Sequence, residues 1–260
     1  ADWAVAEAER LGLRLVIPLT DEGRHFAGGK RDFTDWLGLN ETVFYTDERA
    51  LAAFVAFVRE RLLHVNPFTG RHAFNEPAIA IWETGNELKA TAAWTEAVAR
   101  AIKSIDTNHL VMDGSYWVEL SAEERLSHVA IAEVDVYTDH FYPASATRLA
   151  ADLAAIEAGG KVFSLGEFGG LKNTDAVDAM LLTCIADPVC AHAAPWSFFP
   201  HADDHGFIQH GDGFTFHFPG WNSTASLHLV AAMRNFSNAV HAHSSLPQGA
   251  YPGPYPGPTS

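Results

Sequence analysis

Two glutamates in this sequence each close a short apolar run. Glu87 follows Ala78-Ile79-Ala80-Ile81-Trp82-Glu83-Thr84-Gly85-Asn86. Glu167 follows Lys161-Val162-Phe163-Ser164-Leu165-Gly166 and precedes Phe168-Gly169-Gly170. Carboxylates just past the ends of two separate strands are the minimum equipment for hydrolysing a glycosidic bond, one as acid/base and the other as nucleophile. A carboxyl separation of about 5–5.5 Å gives retention at the anomeric carbon, and about 6.5–9.5 Å gives inversion. Asn86 beside one glutamate and Gly166 beside the other favour a working pair over two unrelated loop carboxylates. A general acid must hold its proton near working pH. The surroundings of Glu87 should therefore raise its pKa by desolvation or by the second charge, while Glu167 must stay ionised.

A second stretch invites a metal reading. His201-Ala202-Asp203-Asp204-His205-Gly206-Phe207-Ile208-Gln209-His210-Gly211-Asp212 carries His and Asp at short spacing, a set that could ligate zinc, or calcium through its carboxylates. It has neither a His-x-x-Glu-His nor an EF-hand pattern, so a loop shaping a cleft is the preferred reading. Tyr116, Trp117 and Trp221 are candidate cleft aromatics, with surface or core packing an equal alternative, while Trp82, inside a strand, belongs to the core.

Elements must hold these residues in place. Strand candidates fall at 13–19, 78–82, 109–113, 134–140, 161–165 and 193–198. Between them run helical stripes of 3.6-residue period. They are Leu51, Phe54, Val55, Val58, Leu62; Trp94, Val98, Ile102, Ile105; Leu149, Leu153, Ile156; Val177, Met180, Leu181; and Leu227, Val230, Met233. Ser121-x-x-Glu124 reads as a capping box. Alternating strands and helices imply an α/β fold with a parallel sheet. We expect a (β/α)8 TIM barrel over residues 1–243 lacking its first two strands, because six strands are visible where the barrel has eight. An open six-stranded sheet is the alternative. Residues 244–260 are rich in Pro and Gly and cannot build a core, so they read as a tail or linker.

A formal charge of −15 over 260 residues argues against nucleic acid, whose phosphates would be repelled. It sits more easily with a neutral partner. No apolar run approaches the roughly 18 residues of a membrane span. Cys184 and Cys190 flank Asp187-Pro188; a turn there would let them pair, and two separate buried thiols are equally consistent.

The run Ile81-Trp82-Glu83-Thr84-Gly85-Asn86-Glu87 resembles the Trp-Glu-x-x-Asn-Glu acid/base motif of glycoside hydrolase family 5, and within it the endo-β-1,4-mannanases of fungi and plants. Supporting stretches are Gly28-Gly29-Lys30 with Phe33 and Trp36, Phe44-Tyr45-Thr46-Asp47, His64-Val65-Asn66-Pro67-Phe68-Thr69-Gly70, Glu76-Pro77-Ala78-Ile79 and Ile105-Asp106-Thr107-Asn108-His109-Leu110. The resemblance implies Glu87 as acid/base, Asn86 as a bond to the sugar 2-hydroxyl and Glu167 as nucleophile. It also implies Tyr142 bonding the nucleophile, His140 lining the site near the acid/base, and Trp196 as a floor under the sugar. No metal and no cofactor are implied. Two departures stand out: the family's arginine beside the nucleophile lies in the part of the barrel not seen here, and Leu88 replaces the usual proline.

The expected protein is thus a secreted, extracellular, monomeric retaining β-glycosidase cleaving β-1,4-mannosidic bonds. Its partner is a poly- or oligosaccharide, not nucleic acid or a membrane. An exo-β-mannosidase and a β-1,4-glucanase are alternatives within the family. A carbohydrate-binding barrel without turnover and a metal-dependent hydrolase are the readings outside it.

Overall fold

A computed structural model describes residues 1–220 and 223–243. The tail at 244–260 and Trp221 lie outside them. Six strands form the main sheet in chain order: β1 (Leu15–Pro18), β2 (Ile79–Glu83), β3 (Leu110–Asp113), β4 (Val136–Phe141), β5 (Val162–Gly169) and β6 (Cys190–Trp196). The pairings β1–β2, β2–β3 and β3–β4 are parallel, so each connection must cross over the sheet. Helices supply the crossovers, as the alternation predicts. β5 runs farther than expected and carries Glu167 within the strand rather than beyond its end. β6 begins and ends earlier than expected.

The chain divides into two compact units, and it passes between them inside β4, α6 (Ala146–Ala158) and β5. The first holds Ala1–His140 and Ala155–Ser164; the second holds Phe141–Ala154 and the described residues from Leu165 onward.

In the first unit, α1 (Asp2–Arg10) precedes β1, and the short α2 (Arg31–Thr34) lies in the long connection after it. α3 (Glu48–Leu63) buries Ala50, Phe54, Val58 and Leu62, and α4 (Ala92–Lys103) buries Trp94, Val98 and Ile102. Those residues repeat every three to four positions and so share one helix face. Phe54 stacks on Trp94 at 5.1 Å between ring centres, with Phe44 at 5.7 and 5.5 Å from them. Full burial of such a side chain is worth about 1.5–3 kcal/mol. α5 (Ala122–Val129) opens on the expected capping box: the Glu124 amide donates to Ser121 Oγ at 3.3 Å, and the Ser121 amide to Glu124 Oε2 at 2.8 Å. Trp82 is core as expected, 2% exposed, with its indole donating to Asp106 at 2.7 Å.

In the second unit, α7 (Thr174–Ala186) buries Val177, Met180, Leu181 and Cys184. Cys184 is bonded to Cys190 at the start of β6, with their Cα atoms 5.2 Å apart, so the open question of pairing resolves to a disulfide. The His/Asp-rich stretch contains a small antiparallel hairpin of β7 (His201–Ala202) and β8 (Gly206–Phe207). α8 (Thr224–His243) buries Ser226, Leu229 and Phe236 and exposes Leu227. The inward face is therefore offset from the Leu227/Val230/Met233 stripe, because a short run of mixed apolar residues supports two nearby registers. Among the described residues no helix is long and apolar enough to cross a membrane.

Candidate active site

Beyond β2 the chain is threaded between two neighbours. On one side the Asn86 amide donates to Thr20 O at 2.8 Å and the Glu22 amide to Asn86 O at 2.9 Å. On the other the Leu88 amide donates to Gly114 O at 3.0 Å and the Tyr116 amide to Leu88 O at 2.9 Å. Residues 86 and 88 thus bridge to opposite partners, Asp21 and Ser115. Glu87 between them has φ = 53°, the one non-glycine residue with positive φ among those described. The left-handed region costs an L-residue about 1–2 kcal/mol, and four backbone bonds over-determine the strained position, a pattern that clusters at functional sites. Gly114 permits this approach: a Cβ there would lie 1.7 Å from Gly85 O.

His140, at 5% exposure on β4, places Nδ1 2.8 Å from Glu87 Oε1. The His140 amide in turn donates to Asp139 Oδ1 at 2.8 Å. The hydrogen bond from His140 holds the Glu87 carboxyl below the usual glutamate range. Partial burial opposes this, and the charges of His140 and His25 reinforce it. The expectation of a raised pKa is therefore overturned, because a donor to the ionised form outweighs incomplete desolvation. His25 was not foreseen. No spacing links residue 25 to residue 87, and only the loop after β1 connects them.

Glu167, Tyr142 and Trp196 belong to the second unit. The Tyr142 hydroxyl donates to Glu167 Oε2 at 2.9 Å, the contact expected for a nucleophile and its phenol donor. Trp196 ends β6, and its indole Nε1 donates to Asp212 Oδ2 at 2.6 Å, an oxygen that also meets His210 Nδ1 at 2.7 Å. Burial pushes the Asp212 carboxyl up, but bonds from the Phe214 amide, the Trp196 indole and His210 together hold it below the usual aspartate range. The His/Asp loop thus braces a tryptophan, a role the sequence reading missed, although it had singled out the loop. Among the described residues no member of that loop joins a group of three potential metal ligands.

Trp117 is wholly buried, edge-on to Tyr137 at 5.5 Å between ring centres, so it is core and not a cleft residue. Tyr116 lines a cavity of about 390 Å³ together with Lys89, Glu119 and His128. Asn86 is half-buried, and its backbone carries the link to Thr20 and Glu22.

A family model described as "GH family 5 beta-mannosidase-like" matches residues 2–148, more than half of the chain. Mannan endo-1,4-β-mannosidase 1 of Arabidopsis thaliana is 30% identical over 169 residues, which are 55% of this chain and 41% of that protein. Mannan endo-1,4-β-mannosidase A of Hypocrea jecorina is 27% identical over 226 residues, 75% of this chain and 45% of that protein. The chain thus spans well under half the length of these curated relatives. An endo-β-1,4-mannanase structure from Thermotoga petrophila superposes with a TM-score of 0.81 at 22% identity, covering 95% of this chain and 62% of the other. A family 5 mannosidase from Rhizomucor miehei gives 0.75 at 16% identity, covering 93% and 76%. The structural likeness shows a shared (β/α)-barrel fold, and the family match adds descent: this chain belongs to glycoside hydrolase family 5.

Proposed function

We propose that the chain carries the catalytic residues of a retaining β-glycoside hydrolase acting on β-1,4-linked mannan. The observation that carries this is the separate partnering of the two carboxyls, Glu167 with the Tyr142 hydroxyl and Glu87 with His140. Glu167 attacks the anomeric carbon while Glu87 protonates the departing oxygen. Water then releases the sugar from Glu167, with Glu87 now acting as base. Glu87 is held ionised by His140 in the resting protein, so a sugar must raise its proton affinity on entering by excluding water from the carboxyl. Trp196 offers a flat apolar face to a pyranose ring, with Asn86 placed to read a hydroxyl. The relatives named mannan endo-1,4-β-mannosidases support mannan as the substrate class. We also propose that the chain is a monomer and that it is extracellular, the location supported by the Cys184–Cys190 bond, since disulfides persist in oxidising compartments. Stability unchanged by reductant would remove that support, and a dimer on size-exclusion chromatography would refute the monomer.

The test is reducing-sugar release from mannan, glucomannan, cellulose and an aryl β-mannoside by this chain and by Glu167→Ala. Turnover of mannan that Glu167→Ala abolishes supports the assignment; equal rates would remove Glu167 as nucleophile. Polymer cleavage separates endo action from exo action on the aryl glycoside. The ionised resting state of Glu87 favours one second reading, a carbohydrate-binding barrel without turnover. Retardation of the chain on a mannan gel with no sugar released would select it.

A further inference from the structure

One residue outside the catalytic set meets the Glu87 segment twice. The Glu22 amide donates to Asn86 O at 2.9 Å, and Glu22 Oε2 accepts from the Lys89 amide at 3.0 Å. A single residue thus holds the chain one position before Glu87 and two positions after it. The same carboxylate accepts from the Tyr45 hydroxyl at Oε2 and pairs with Lys30 Nζ at Oε1. All three partners of the carboxylate are donors, and its two oxygens have room for about four. Local geometry gathers these donors. Gly29 approaches Gly23 so closely that a Cβ would stand 2.2 Å from Gly23 O, and the Ala27 amide donates to Asp21 Oδ2 at 2.7 Å. Residues 23–29 therefore close on themselves and return Lys30 to Glu22. Tyr45 packs edge-on to the core residue Trp94 at 5.2 Å between ring centres.

The geometry points to Glu22 as a positioning residue for Glu87: anchored by Tyr45 and Lys30, its carboxylate and its amide clasp the left-handed turn at Glu87 from both flanks. This rests on the reading of Glu87 as acid/base. A left-handed residue persists only where its surroundings over-determine it, and Glu87 stands at φ = 53°. The bonds of this segment to Thr20 O and Gly114 O run between main chains. The Lys89 bond ends in a side chain, so one substitution removes it and leaves the others. Burial and the bond to the Glu22 carboxylate push the Tyr45 phenol well above the ordinary tyrosine range, so it keeps the proton it donates.

The test is Glu22→Ala, which removes the carboxylate and spares the Glu22 amide. A departing sugar oxygen needs the proton of Glu87, whereas a dinitrophenolate departs without one. With Glu87 displaced, kcat/KM on mannan should fall about ten- to a hundredfold, and on dinitrophenyl β-mannoside it should stay within about threefold. The NMR signal of the His140 ring, whose Nδ1 lies 2.8 Å from Glu87 Oε1, should shift. The Lys89 amide should exchange about tenfold faster. General damage to the fold would slow both substrates alike; that result, or an unmoved His140 signal, overturns the proposal. In a chain without turnover, the His140 signal and the Lys89 exchange decide alone. Should Glu22→Ala not fold, Tyr45→Phe strips one anchor from Glu22 and keeps the ring, and a His140 signal unmoved there overturns the proposal. Full activity of Glu87→Gln on mannan would instead sink the acid/base reading and leave the Lys89 exchange result standing.

Discussion

Gly114→Ala probes the close approach that places Glu87. The added Cβ would sit 1.7 Å from Gly85 O and 2.7 Å from Glu83 Oε1. Carbon and oxygen come into ordinary contact near about 3.3 Å, so the two backbones must part by roughly 1.5 Å. The first neighbour is a main-chain carbonyl that cannot swing aside, and the second is the carboxyl tip of a buried side chain at the end of β2. The Leu88–Gly114 hydrogen bond at 3.0 Å lies in the path of that movement. Overpacking costs about 1–3 kcal/mol and a lost backbone bond about 1 kcal/mol, so we expect a loss of roughly 2–4 kcal/mol in denaturant unfolding. A displacement of this size at a catalytic group costs about a hundredfold in rate, read as initial reducing-sugar release from mannan. Gly211, with nothing within 4 Å of its would-be Cβ, is the stability control. Gly211→Ala should change unfolding by less than about 1 kcal/mol. A Gly114→Ala chain as stable as the control, or turning over within about threefold of wild type, would refute the reasoning that this contact sets the Glu87 loop.

Tyr142→Phe removes a 2.9 Å bond to the Glu167 carboxyl. A hydrogen bond to a charged group is worth about 1.5–3 kcal/mol, so kcat on mannan should drop about ten- to a hundredfold; an unchanged kcat would detach Tyr142 from the nucleophile role proposed for Glu167. His140→Ala takes away the largest cause that lowers the Glu87 pKa. The carboxyl then keeps its proton to higher pH, and the alkaline limb of kcat/KM should move upward. A limb that stays or moves down contradicts the role given to His140. Cys184→Ala with Cys190→Ala opens a loop whose ends are six residues apart, for which chain entropy gives about 2 kcal/mol of lost stability. Equal unfolding midpoints with equal slopes would show that the crosslink contributes nothing.

Much of the fold was legible because burial repeats with the period of the element. Phe54, Val58 and Leu62 recur at helical spacing and are all buried. Ser121 and Glu124 carry their cap within one turn. The six strands were readable as apolar runs between helices. Where local pattern was ambiguous the reading slipped: α8 turned another face inward, and β5 ran on through Glu167. For Trp117 cleft and core stood level in the sequence and the structure selects core, because one aromatic outside a periodic stripe does not reveal which side the chain will cover.

The sequence by itself singled out the two carboxyls, because each closes an apolar run, and its resemblance to glycoside hydrolase family 5 pointed to the phenol that bonds Glu167 and the histidine that meets Glu87. Tertiary structure alone decided the charge state that His140 and His25 favour on Glu87, the left-handed backbone on which Glu87 stands, and the aspartate that braces Trp196. His140 lies 53 positions from Glu87, and Asp212 lies 16 from Trp196. A proton's affinity and a ring's orientation depend on donors, charges and burial gathered from several elements at once, and that gathering is written in the packing of the chain, not in any one stretch of it.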